Sequence, residues 1–112
     1  MKILAIGDVV GSIGCRFLRA HLPQLKKIKN IDLVIANGEN SADGNGITPV
    51  SADFLFDSGV DVITTGNHSF RRRESYEYYD SCLLYTSGPI ANFASGKIRL
   101  TACAIIWEVV CQ

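Results

Sequence analysis

Five polar residues carry the chemical interest of this chain: Asp8, Glu39, Asn40, Asn67 and His68. They follow three short apolar runs, "KILAIGD", "IDLVIAN" and "VDVITTGNH". Two carboxylates, two amides and one imidazole form an oxygen-rich donor set with no thiolate. Such a set suits hard or borderline divalent metals, Mn, Fe or Mg, better than a thiolate zinc site. A carboxylate can bridge two metals, and a two-metal site binds an oxyanion, activates water and stabilises a leaving oxygen, which is the chemistry of phosphoester hydrolysis. An imidazole titrates near neutrality, so His68 can act as the acid for a leaving alkoxide. Each residue also has a plainer reading. Asp8 can cap the helix that follows it, Glu39 and Asn40 can be loop residues, Asn67 a turn residue with positive φ, and His68 a surface or core histidine.

The elements that must position these residues alternate in type. Residues 2–8, 31–37 and 60–68 read as buried strands. Residues 12–30 place Phe17, Leu18, Leu22, Leu25 and Ile28 near helical spacing, with Pro23 expected to kink or divide the helix. Thr48-Pro49 reads as an N-cap followed by proline at the first helical position, with Val50, Phe54 and Leu55 on the apolar face and Gly59 as the stop. A third helix is expected over 71–80. "GPIANF" reads as a short fourth strand, and "IRLTACAIIWEVV" as one or two strands or a buried segment without helical period. Strand, helix, strand, helix, strand implies an α/β fold with a mainly parallel sheet and flanking helices. In such a sheet all strands end along one edge, where ligands bind. Gly7, Gly38 and Gly66 precede the polar residues there, and are expected to let the chain turn sharply and aim them.

The bulk properties narrow the partners. A chain of 112 residues fits one domain, and 47% apolar residues supply its core. Basic and acidic residues balance at 11 each, so no long-range field is expected to draw DNA or an acidic membrane. The basic cluster Arg71-Arg72-Arg73 reads as a solvated helix start or a phosphate attractor. Cys15, Cys82, Cys103 and Cys111 lack CxxC spacing, and no signal-like or membrane-length apolar run appears. Free thiols in a reducing cytoplasm are the expectation. A partial sheet with an exposed edge strand is open to association as a homo-oligomer.

"GDVVGSIG", "NGENSADGNGIT" and "GVDVITTGNHSF" closely resemble the YmdB-like, calcineurin-type metallophosphoesterases, bacterial phosphodiesterases of 2′,3′-cyclic nucleotides. The likeness runs in register from Met1 to about Asp80. Commoner metallophosphoesterases carry Asp-x-His after the first strand, but here Val10 stands in place of that histidine, as in the branch resembled. The resemblance implies a partial metallophosphoesterase fold, a βαβαβ core plus C-terminal strands. Residues 1–80 would be the N-terminal half of the domain. Residues 81–112 would be a tail, either a divergent loop and strand or a non-native, chimeric end. It implies two divalent ions, with Asp8 and Glu39 as ligands and Glu39 bridging. Asn40 and Asn67 would bind the second metal or the phosphate, and His68 would protonate the leaving group. Gly11 would bring helix N-terminal amides to the phosphate. The substrate would be a cyclic nucleotide or related small phosphoester.

The chain also departs from the pattern resembled. Family members are longer and take further histidine ligands from later strands, whereas this chain has only His21 and His68. His21 falls inside the first helix, away from the sheet edge. "GPIANF" is similar to the family's next strand but has Gly88 where that strand carries arginine. The expectation is therefore an incomplete site, weak metal binding and little or no activity for this chain alone. The alternative is a non-catalytic nucleotide or phosphate binder. A Rossmann or P-loop enzyme is disfavoured, since glycines at 7, 11 and 14 are not GxGxxG and no GK[ST] follows a strand.

Overall fold

The computed structural model describes residues 1–81 and 84–85, with side chains as far as Tyr78. Strands β1 (Ile3–Asp8), β2 (Leu33–Asn37), β3 (Val62–Thr64) and β4 (Leu84–Tyr85) form one sheet in that order, and every neighbouring pair is parallel. Helix α1 (Gly11–Lys29) joins β1 to β2, and α2 (Pro49–Asp57) joins β2 to β3. A 3-10 turn at Arg73–Ser75 and a short α3 (Tyr76–Ser81) precede β4. The α/β architecture with a parallel sheet and flanking helices is the one expected from the sequence. The fourth strand falls at Leu84–Tyr85, whereas "GPIANF" and residues 98–110 lie outside the described residues.

The core explains the strand pattern. Val34, Ile35 and Ala36 of β2 are all buried, as befits a parallel strand between two neighbours. Val34, Ala36 and Ile63 pack with Leu18 and Leu22 of α1, Ala52 and Leu55 of α2, and Ile47 before α2. Lys26 Nζ donates to Gly59 O at 3.0 Å and to Asp61 Oδ2 at 3.1 Å, and the same Asp61 oxygen accepts the Val34 amide at 2.8 Å. These bonds tie the last turn of α1 to the starts of β2 and β3.

Several local expectations change. Pro23 neither divides α1 nor ends it; the helix runs unbroken for 19 residues. Pro23 is exposed while Cys15, Leu18 and Leu22 anchor the helix on the sheet, so tertiary packing outweighs the lost hydrogen bond. The buried face of α1 is narrower than the apolar spacing implied. Phe17 and Ile28 are about two-thirds exposed, at 67% and 65%. In α2, Leu55 and Ala52 are buried and Phe54 packs against the core as expected, while Val50 stands in solvent. The Thr48 cap is as expected: its hydroxyl accepts the Ser51 amide, and Ser51 Oγ accepts the Thr48 amide in return. The expected helix over 71–80 opens instead as the 3-10 turn.

Glycine acts at the strand ends by a different route from the one expected. Gly7, Gly38 and Gly66 are not among the residues with positive φ. Gly38 is required by packing, because a Cβ there would lie 2.8 Å from Ile63 Cγ2 and 3.0 Å from Leu55 Cδ1. Gly7 is the extra residue of a bulge: Ile6 pairs with Ala36, but Asp8 pairs with Asn37. A bulge re-aims the side chains beyond it.

Two outcomes follow. Gly38→Ala is expected to destabilise the fold by about 1–3 kcal/mol, as overpacking in a closed core does, measured by urea denaturation. Cys15 is buried, and that burial pushes its thiol above the ordinary cysteine value, partly offset by a backbone hydrogen bond. The thiolate is the reactive form. Iodoacetamide labelling mapped by mass spectrometry should therefore find Cys15 protected in the folded chain and labelled in urea.

Candidate active site at the carboxyl ends of the strands

The three loops that leave β1, β2 and β3 meet at one edge of the sheet, and Asn40 is their junction. Its backbone carbonyl accepts the amides of Gly11 at 2.9 Å and Gly44 at 3.1 Å. Its side-chain Nδ2 donates to Asp8 Oδ2 at 2.8 Å, and its Oδ1 lies 2.7 Å from His68 Nδ1. Residues 8, 40 and 68, remote in sequence, thus form one hydrogen-bonded chain.

That chain fixes the imidazole. A carboxylate oxygen only accepts, so the Asn40 NH2 must face Asp8 and the amide oxygen must face His68. An amide oxygen cannot donate, so Nδ1 of His68 carries the proton in this bond. Nε2 is left as the nitrogen at which a proton can be gained or given.

Glu39 is placed by the same edge. Its amide donates to Asn37 Oδ1 at 3.0 Å, and its carboxylate lies directly over Gly66, where a Cβ would stand 1.9 Å from Oε2. Gly66 is thus required by the close approach of Glu39. Asn67 follows Gly66 and is exposed. Asp8 is exposed too, and it does not cap α1: Val10 holds the N-cap position with no side-chain bond to the helix. The Gly11 amide is engaged by Asn40, so Gly11 opens the first turn of α1 without offering its own N–H outward. His21 stands apart, ten residues into α1, its ring tilted 49° against that of Phe17 with centroids 4.4 Å apart.

Arg72, legible in the sequence only as one charge of the Arg71-Arg72-Arg73 cluster, crosses from the β3 loop to the β2 loop. Its Nε donates to Asn45 O at 2.9 Å and its Nη2 to Ala42 O at 3.2 Å. The arginine cluster drew attention as charge, but a guanidinium bonded to loop carbonyls has no local sequence signal.

Among the described residues no group of three or more His, Cys, Asp or Glu side chains is arranged to hold a metal ion. Asn40 commits both side-chain atoms to Asp8 and His68. No helix of the described residues is long and apolar enough to cross a membrane.

Comparison with known proteins agrees with this geometry. The profile of the YmdB-like protein family matches residues 4–87. The 2′,3′-cyclic-nucleotide 2′-phosphodiesterase of Bacillus subtilis is 42% identical over 80 residues, 71% of this chain and 30% of the relative. The crystal structure of a hypothetical protein from Thermus thermophilus superposes with a TM-score of 0.72 at 40% identity, covering 77% of this chain and 33% of that one. That of a novel phosphatase from Mycoplasma pneumoniae gives a TM-score of 0.72 at 33% identity, over 77% and 31%. The chain spans about a third of the length of these relatives. A match over most of the chain, together with a fold shared at this level of identity, makes this protein a member of the YmdB-like family.

Proposed function

We propose that this chain carries the N-terminal part of the active site of a metal-dependent phosphodiesterase that hydrolyses 2′,3′-cyclic nucleotides or related small phosphoesters in the cytoplasm. The observation that carries the reading is the Asp8–Asn40–His68 hydrogen-bond chain beside the Glu39 carboxylate, at the edge where parallel sheets bind ligands. The name of the B. subtilis relative supports the substrate class.

Asp8, Glu39 and Asn67 would supply oxygen ligands to divalent ions, Fe or Mn ahead of Mg, and Asn40, whose amide oxygen already faces His68, would add a contact only through that oxygen's second lone pair. Bound ions of this kind polarise phosphoryl oxygens and make water a nucleophile near neutral pH. The chain's own residues do the rest. Asn40 holds the His68 ring through Nδ1, so that Nε2, once it has gained a proton, can deliver it to the leaving oxygen. The first turn of α1, opening at Gly11, would lie against the phosphate. With so few ligands, the chain alone binds metal weakly and turns over slowly. The alternative is a binder that holds a nucleotide phosphate without cleaving it.

Mn2+ binding followed by electron paramagnetic resonance, and hydrolysis of bis(p-nitrophenyl) phosphate and a 2′,3′-cyclic nucleotide with added Mn2+, test the reading. Weak Mn2+ binding lost in Asp8→Ala is expected, with slow hydrolysis that falls by about a hundredfold or to background in His68→Ala. Cyclic-nucleotide binding that survives Asp8→Ala in metal-free buffer would establish the binder instead. Gly66→Ala forces a methyl group into the Glu39 carboxylate, so it should weaken Mn2+ binding by about tenfold or more while leaving the urea midpoint near that of the parent chain.

A further inference from the structure

We infer that Arg72 is a positioning residue: its guanidinium clamps the β2 loop to the β3 loop and so holds Asn40 against His68. The clamp is defined by geometry. The Arg72 fork reaches two carbonyls of one tight loop, Asn45 O from Nε and Ala42 O from Nη2. That loop is closed on itself by Ala42 N–H to Gly46 O and Asn45 N–H to Ala42 O, both at 3.0 Å, and by Gly44 N–H to the Asn40 carbonyl at 3.1 Å. The arginine stem lies on Gly46, which has a φ of +86°. A Cβ at Gly46 would stand 2.9 Å from Arg72 Cγ and 3.5 Å from His68 O. The glycine lets the two loops touch, and the guanidinium then bridges them. Asp43 adds little, because its carboxylate is 4.0 Å away and its side chain is 89% exposed.

Arg72 touches none of the reacting groups proposed above. It acts through the loop whose Asn40 carbonyl and side chain meet Gly11, Asp8 and His68. A planar fork can serve two carbonyls at once, which a lysine ammonium on a flexible stem does not reproduce. Two hydrogen bonds to backbone oxygens are enough to shift a local opening equilibrium by about tenfold.

The role in orienting an acid rests on the phosphodiesterase reading, but the clamp is measurable without any activity. Amide hydrogen exchange and the 15N spectrum of the His68 ring are compared in the parent chain, Arg72→Lys and Arg72→Ala. The expected result is exchange about tenfold faster at Ala42, Gly44 and Asn45 in both variants, with Ile35 and Ala36 in β2 unchanged. The Nδ1–H signature of His68 should give way to a mixture of tautomers. Unchanged loop exchange, acceleration shared equally by the β2 amides, a His68 spectrum identical to the parent's, or full restoration by lysine would each overturn the clamp. A chain that shows the clamp but never hydrolyses a phosphoester would sink only the catalytic reading.

Discussion

Parallel pairing is the constraint on which this molecule depends. Neighbouring strands that run the same way cannot be joined by tight turns, so each crossover must carry the chain back over the sheet. Here α1 and α2 do so, and every strand must then end on the same side. The loops after β1, β2 and β3 are forced together, and the groups with chemical potential lie in those loops. The core residues Val34, Ala36, Ile63, Leu18, Leu22 and Leu55 maintain that direction. Apolar packing in the middle of the sheet thus produces a polar cluster at its edge.

At that edge, organisation passes from the sheet to one residue. Asn40 joins the first turn of α1, its own loop, Asp8 and His68 through four hydrogen bonds. The arrangement has a direction imposed by hydrogen-bond chemistry: the acceptor-only carboxylate sets the amide, and the amide sets the imidazole. Two close approaches make room for it, Glu39 over Gly66 and Arg72 over Gly46. At this edge Gly38, Gly46 and Gly66 leave space for neighbours, while Gly11, Gly44 and Gly46 take positive φ.

Among the described residues no group of three or more His, Cys, Asp or Glu side chains is arranged to hold a metal ion. The chain aligns with about a third of the length of its relatives.

The sequence by itself determined the alternation of strands and helices, the parallel sheet, the Thr48 cap and the gathering of Asp8, Glu39, Asn40, Asn67 and His68 at one edge. Those follow from periodicity, turn chemistry and topology, which are local or nearly so. Only the tertiary structure decided that Pro23 leaves α1 whole, that Gly7 is a bulge, that Gly38 and Gly66 are demanded by packing, and that Arg72 is a tie between loops. The last three depend on atoms brought close from other segments: Leu55 and Ile63 on Gly38, Glu39 on Gly66, Ala42 and Asn45 on Arg72. Such proximity leaves no mark in the spacing of residues along the chain, because it is created by the folding of the chain around them.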